Sequence, residues 1–123
     1  MKIMVVDDSR QIRRHVARTL EECGYESCDA EDGSVALKAL EEQSDVDVIL
    51  LDWNMPVMDG METLEAIKSN SSFSHIKIVM MTTENKSEKI QTAFEKGADE
   101  YIMKPLTKEV IIEKLEGLDD DFI

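Results

Sequence analysis

Residues 45–60 read DVDVILLDWNMPVMDG. The run from Val46 to Leu51 is almost continuously apolar, ends in Asp52, and is followed by Pro56 and Gly60, which force the chain to turn. A short apolar run without polar alternation is the pattern of a strand covered on both faces, which is the habit of parallel sheets. Open parallel sheets bind ligands outside the carboxyl ends of their strands, so Asp52 stands where a ligand-binding group is expected.

Four further runs flank this one: Ile3 to Val6, a weaker one from Glu26 to Ala30, Ile78 to Met81, and Tyr101 to Met103. Helical patterns lie between them. Ile12, Val16, Leu20 and Cys23 recur at helical spacing after a cap at Ser9, with Gly24 as a stop. Val35 to Leu40 begins a second helix after Asp32. A third opens with Asp59 and Glu62 in capping-box spacing and ends near the serine- and asparagine-rich segment Ser69 to Ser74, which reads as a flexible loop. Ile90, Ala93 and Phe94 mark a fourth, closed by Gly97. Val110, Ile111, Ile112 and Leu115 mark a fifth, capped by Thr107. Alternating strands and helices with short connections imply an α/β fold with a doubly wound five-stranded parallel sheet and five helices. With 123 residues and 42% hydrophobic content, one domain over 1–123 is expected, ending in Asp119, Asp120 and Asp121.

The 27 acidic residues against 14 Lys and Arg argue against a nucleic-acid or anionic membrane partner. No stretch is apolar enough to span a bilayer, and MKIMVVDDS carries too short an apolar run for a signal peptide. Cys23 and Cys28 lack paired metal-ligand spacing, and a reduced cytoplasm is expected; the chain is expected to be a monomer. His15 and His75 read as surface or helix residues apart from the acidic cluster, Trp53 as a partly exposed aromatic beside it, and the eight methionines as packing.

The strand ends are polar: Asp7 and Asp8 after the first run, Asp52 after the third, Thr82 and Thr83 after the fourth, and Lys104 with Pro105 after the fifth. Any one of these could be a solvated loop start. Together they bring three carboxylates, a hydroxyl and an amine to one edge. Clustered carboxylates repel, and three negative charges are offset by one lysine and a divalent cation. Oxygen-only ligands suit Mg²⁺, with Mn²⁺ as a substitute, in an open site that awaits a phosphoryl group. Thr82 and Lys104 can engage phosphate oxygens, and Asp52 is the natural nucleophile for an aspartyl phosphate.

Asp7-Asp8, Asp52 within DWNMPVMDG, Thr82 within VMMTTE, and GADEYIMKP ending in Lys104-Pro105 together resemble the receiver domains of two-component response regulators, specifically those of the stand-alone chemotaxis type. The resemblance covers essentially the whole chain. It implies a flavodoxin-like fold with strand order 2-1-3-4-5 and a histidine kinase that phosphorylates Asp52. It implies Mg²⁺ on Asp8, Asp52 and the Asn54 backbone carbonyl with Asp7 assisting, Thr82 and Lys104 reading the phosphate, and a cis peptide before Pro105. Asn54, Thr83 and Glu84 are implied to tune water access to the acyl phosphate, although Thr83 replaces the small residue common there.

From the residues alone Tyr101 is a half-buried aromatic; the resemblance makes it a rotameric switch. The implied output face comprises Ile90, Tyr101, Met103, Leu106 and Lys114, rimmed by Lys86, Lys89 and Lys108, with Ala93, Phe94 and Ile102 turned inward. Its target would be a protein such as a flagellar motor switch component. A Mg²⁺-dependent phosphohydrolase is the alternative, but it needs a general acid two residues after the nucleophile, where this chain has Asn54. A flavin carrier needs a phosphate loop where this chain reads VVDDSRQIRR, whose acids would repel it.

Overall fold

In the computed structural model of the chain, which describes residues 1–43, 45–83 and 86–119, the run that ends in Asp52 is a strand with every residue buried. In chain order the elements are β1 (Lys2–Val6), α1 (Arg10–Glu22), β2 (Glu26–Ala30), α2 (Gly33–Glu42), β3 (Val48–Asp52), α3 (Gly60–Lys68), β4 (Lys77–Thr82), α4 (Ser87–Glu95), β5 (Glu100–Met103) and α5 (Lys108–Asp119). The sheet order is β2-β1-β3-β4-β5, and every neighbouring pair is parallel. Asp120 and Asp121 of the terminal acidic run lie outside the described residues.

Strand periodicity divides the core into two layers. Ile3, Val5, Val48, Leu50, Val79, Met81 and Ile102 pack with Val16 and Leu20 of α1 and Ile111, Leu115 and Leu118 of α5. Met4, Val6, Ile49, Leu51, Ile78 and Met80 face the other way, onto Ala36 and Leu40 of α2, Leu64 and Ile67 of α3, and Ala93 of α4. Each fully buried aliphatic side chain contributes about 2 kcal/mol, so this two-sided burial holds the central strands in place. A sheet sealed on both faces leaves its strand ends as the accessible edge.

Local chemistry sets the helix starts. Ser9 Oγ accepts from Ile12 N at 3.3 Å, Asp32 Oδ1 from Val35 N at 3.0 Å, and Thr107 Oγ1 from Val110 N at 3.3 Å. Asp59 and Glu62 complete the reciprocal capping box, at 2.9 and 3.2 Å. Gly24 and Gly97 follow α1 and α4 with φ of 84° and 112°, a region glycine reaches without steric cost.

Two boundaries depart from the sequence reading. β3 starts at Val48 rather than Val46, because Asp47 turns its carboxylate back to accept from Lys2 N at 2.9 Å. The segment expected as a plain flexible loop holds a one-turn 3₁₀ helix, Ser71–Phe73. Asn70 caps it by accepting from Ser72 N at 2.9 Å, and Phe73 anchors it in the core at 8% exposure.

Gly60 joins the fold to the site. A Cβ at this position would lie 2.4 Å from the Asp52 carbonyl oxygen and 2.8 Å from Trp53 Cα, so α3 can start against the end of β3 only with glycine here. Gly60 N donates to the Trp53 carbonyl at 2.9 Å and fixes that contact. A Gly60→Ala variant is expected to lose about 1–3 kcal/mol of stability, the usual cost of forcing a methyl group into close-packed surroundings. Urea unfolding measures it, and unchanged stability would contradict the close approach.

Candidate functional site

Parallel register delivers four strand ends to one edge. Val6 pairs with Leu51, Asp52 with Met81, and Thr82 with Met103, so Asp7 and Asp8 after β1, Asp52 at the end of β3, Thr82 at the end of β4 and Lys104 after β5 all stand on that edge. Asp7 is fully buried, Asp52 is 4% exposed and Thr82 is 1% exposed. Asp8 is exposed. One carboxylate oxygen from each of Asp7, Asp8 and Asp52 lies within 4.8 Å of the others.

Lys104 crosses this cluster. Its Nζ donates to Asp52 Oδ1 at 2.9 Å and to Asp7 Oδ2 at 3.1 Å, and its backbone N donates to the Thr82 carbonyl at 2.8 Å. The peptide bond to Pro105 is cis. Lys104 thus engages Oδ1 of the Asp52 carboxylate at the end of the central strand.

Two contacts on Asp7 were not anticipated from sequence. Ser9 N donates to Asp7 Oδ1 at 2.8 Å, and Arg13 Nη1 donates to the Asp7 carbonyl at 2.7 Å. Arg13 Nε also pairs with Asp29 of β2 at 2.9 Å, so the guanidinium ties the end of β1 to its neighbour. The signal was present: an arginine one turn after the Ser9 cap, on the helix that follows the acid pair.

Burial is the main force that raises the Asp52 pKa, with Asp7 and Asp8 adding repulsion, while the hydrogen bond and charge of Lys104 pull the other way. For Lys104, burial opposes the ammonium, but the pull of Asp52 and Asp7 outweighs it and leaves the pKa raised. A carboxyl whose pKa rises on folding is stabilising when protonated and costs stability when ionised, and that cost appears as pH climbs through the folded-state value. Asp52→Asn is therefore expected to melt at a higher temperature than the native chain at neutral pH without metal. The gain should shrink as pH falls through the ordinary aspartate range near about 3.9. A variant less stable than the native chain at neutral pH would contradict this.

The remaining expected residues divide. Asn54 and Thr83 are exposed beside the strand ends, and Trp53 is half-buried. Glu84 lies outside the described residues. Tyr101 and Ile90 are half-buried and Met103 is 37% exposed. Lys114 pairs with Glu100 at 3.3 Å and holds its ammonium 5.6 Å from the centre of the Tyr101 ring.

Three expectations for the output face are corrected. Phe94 is 40% exposed rather than turned inward, and its ring meets Tyr101 edge-on at 6.1 Å, because α4 buries only Ala93 against the sheet. Leu106 is 8% exposed and belongs to the core beneath α1 and α5. Lys108 does not rim this face: it pairs with Glu22 of α1 at 3.0 Å.

The family described as response regulator receiver domain matches residues 3–116. The chain belongs to the response regulator receiver family. This receiver is 43% identical over 117 residues to the chemotaxis protein CheY1 of Helicobacter pylori, covering 94% of each chain. It is 38% identical over 119 residues to chemotaxis protein CheY-3 of Vibrio cholerae, covering 96% of this chain and 91% of the other. Among solved structures, Vibrio cholerae chemotaxis protein CheY4 superposes with a TM-score of 0.88 at 39% identity, covering 94% and 95%. The flavodoxin-like order expected from sequence is the order observed. No helix among the described residues is long and apolar enough to cross a membrane.

Proposed function

We propose that this receiver is a phosphoacceptor switch of the chemotaxis type, in which Asp52 takes a phosphoryl group from a histidine kinase. The observation that carries this reading is a nearly buried carboxylate at the end of the central strand, paired with Lys104 and clustered with Asp7 and Asp8. The names of its relatives support the pathway.

The chemistry follows from the groups present. A carboxylate oxygen of Asp52 attacks phosphorus, the new O–P bond forms as the donor's N–P bond breaks, and Lys104 turns its ammonium to the phosphoryl oxygens. Thr82, at the end of β4, lies beside the same mouth and reads another oxygen with its hydroxyl. An oxygen-only donor set with one compensating lysine fits Mg²⁺, or Mn²⁺ in its place, held by Asp7, Asp8, Asp52 and the Asn54 carbonyl. The ion supplies neutralisation of the phosphoryl charge. Asn54, Thr83 and Glu84 set the access of water and hence the lifetime of the acyl phosphate.

Output runs along β4 and β5. Thr82 moving to the phosphate leaves space for Tyr101 to turn inward from Phe94 and Lys114, which changes the surface carrying Ile90 and Met103. A cytoplasmic target such as a flagellar motor switch component reads that change. The active unit is a single receiver domain acting as a monomer.

Incubation with acetyl phosphate and Mg²⁺, followed by intact mass, tests the assignment. The native chain is expected to gain one phosphoryl group, Asp52→Asn none, and the native chain with a metal chelator none. A full adduct on Asp52→Asn would overturn it.

A further inference from the structure

We infer that His15 is a positioning residue for Lys104, an assignment that rests on the phosphoryl-transfer reading of the Asp52 site. His15 lies on the exposed side of α1, yet its imidazole reaches across the fold: Nε2 is 2.8 Å from the carbonyl oxygen of Leu106. A carbonyl only accepts, so Nε2 carries the hydrogen and donates it. Neutral and protonated rings both have that donor available, and the tether does not depend on the charge of the ring.

Leu106 follows Lys104 by two residues, in the turn between β5 and α5. The backbone of this turn has few other anchors. Lys104 N donates to Thr82 O, Pro105 has no N–H, and Ile111 N donates to Thr107 O where α5 begins. Among the described residues, the His15 contact is the hydrogen bond that holds 105–106 to the body of the protein. The Leu106 side chain packs into the core that it shares with Val16 and Leu20 of α1. Beside that contact a groove of about 340 Å³, lined by Gln11, Ile12, His15, Lys104, Pro105 and Leu106, opens between α1 and the backbone of the turn. The buried Leu106 side chain fixes how deep the turn sits; the imidazole fixes how far it stands from α1.

The same helix holds the other half of the site. Arg13, two residues before His15, donates to the Asp7 carbonyl, and Asp7 Oδ2 accepts from Lys104. One rigid helix therefore spans from the carboxylate to the ammonium and sets their separation. His15 touches neither the phosphoryl group nor Asp52; its effect passes through Lys104.

The test compares His15→Gln, which keeps a donor at matching reach, with His15→Leu, which keeps apolar bulk and removes the donor. Each is made in the native chain and in Lys104→Met, and the rate of adduct formation with acetyl phosphate and Mg²⁺ is followed by mass. His15→Gln is expected within about twofold of native and His15→Leu about tenfold slower, less than the about hundredfold that a misplacement of about 1 Å can cost. Neither change should add to Lys104→Met. In the metal-free protein the Lys104 Cε–Hε NMR cross peak should move in His15→Leu and stay in His15→Gln. Equal rates for the two variants, an unmoved cross peak in His15→Leu, or the same slowing without Lys104 would overturn the inference. A native chain that gains no phosphoryl group would sink the proposed function instead, and the Lys104 cross peak would then decide the tether alone.

Discussion

A lysine ammonium lodged between two nearly buried aspartates is the constraint from which the site follows. Removing ionised groups from water is costly unless each finds a partner, and Lys104 serves Asp7 and Asp52 at once. Three carboxylates against one ammonium still leave an excess of negative charge. The cluster is thus satisfied enough to fold and under-neutralised enough to favour a cation. A parallel sheet with β1, β3, β4 and β5 adjacent brings those residues together, because Asp7 and Asp8 follow β1, Asp52 ends β3 and Lys104 follows β5.

The same arrangement sets stability against function. Burial and its acidic neighbours hold Asp52 above its ordinary pKa, so the ionised carboxylate is disfavoured where it is needed. Lys104 partly offsets that cost and, in the proposed reaction, is also the group that meets the phosphate. Strain of this kind is common at working sites and is tolerated because the two sealed faces of the sheet supply stability elsewhere. Gly60 and the Asp59–Glu62 cap belong to the same logic, since they fix the start of α3 directly against the carbonyl of the phosphoacceptor candidate.

Strand ends were legible in the sequence because period and punctuation are local: apolar runs stop where Asp, Thr or Lys begins, and caps such as Ser9, Asp32 and Asp59 announce the helices. Facing was harder where an element is short. In α4 the apolar set Ile90, Ala93 and Phe94 leaves the rotation free by about one residue, and the structure resolves it by burying Ala93 and exposing Phe94. Leu106 sits in a turn with no period to place it, and only the α1–α5 core decides that it points inward. Lys108 was expected on the rim of the output face and His15 as a surface or helix residue, whereas both act across to another element, on Glu22 and the Leu106 carbonyl. Side-chain reach between elements far apart in sequence carries no local signature. Glu84 lies outside the described residues.

The most direct measurement is a ¹³C NMR titration of the aspartate carboxyls in the metal-free protein, with Asp52 assigned by comparison with Asp52→Asn. If burial raises this group and Lys104 opposes it, Asp52 titrates above the ordinary aspartate value of about 3.9, and higher still in Lys104→Met. An Asp52 carboxyl that titrates at or below the ordinary value, or that ignores the loss of Lys104, would contradict the account.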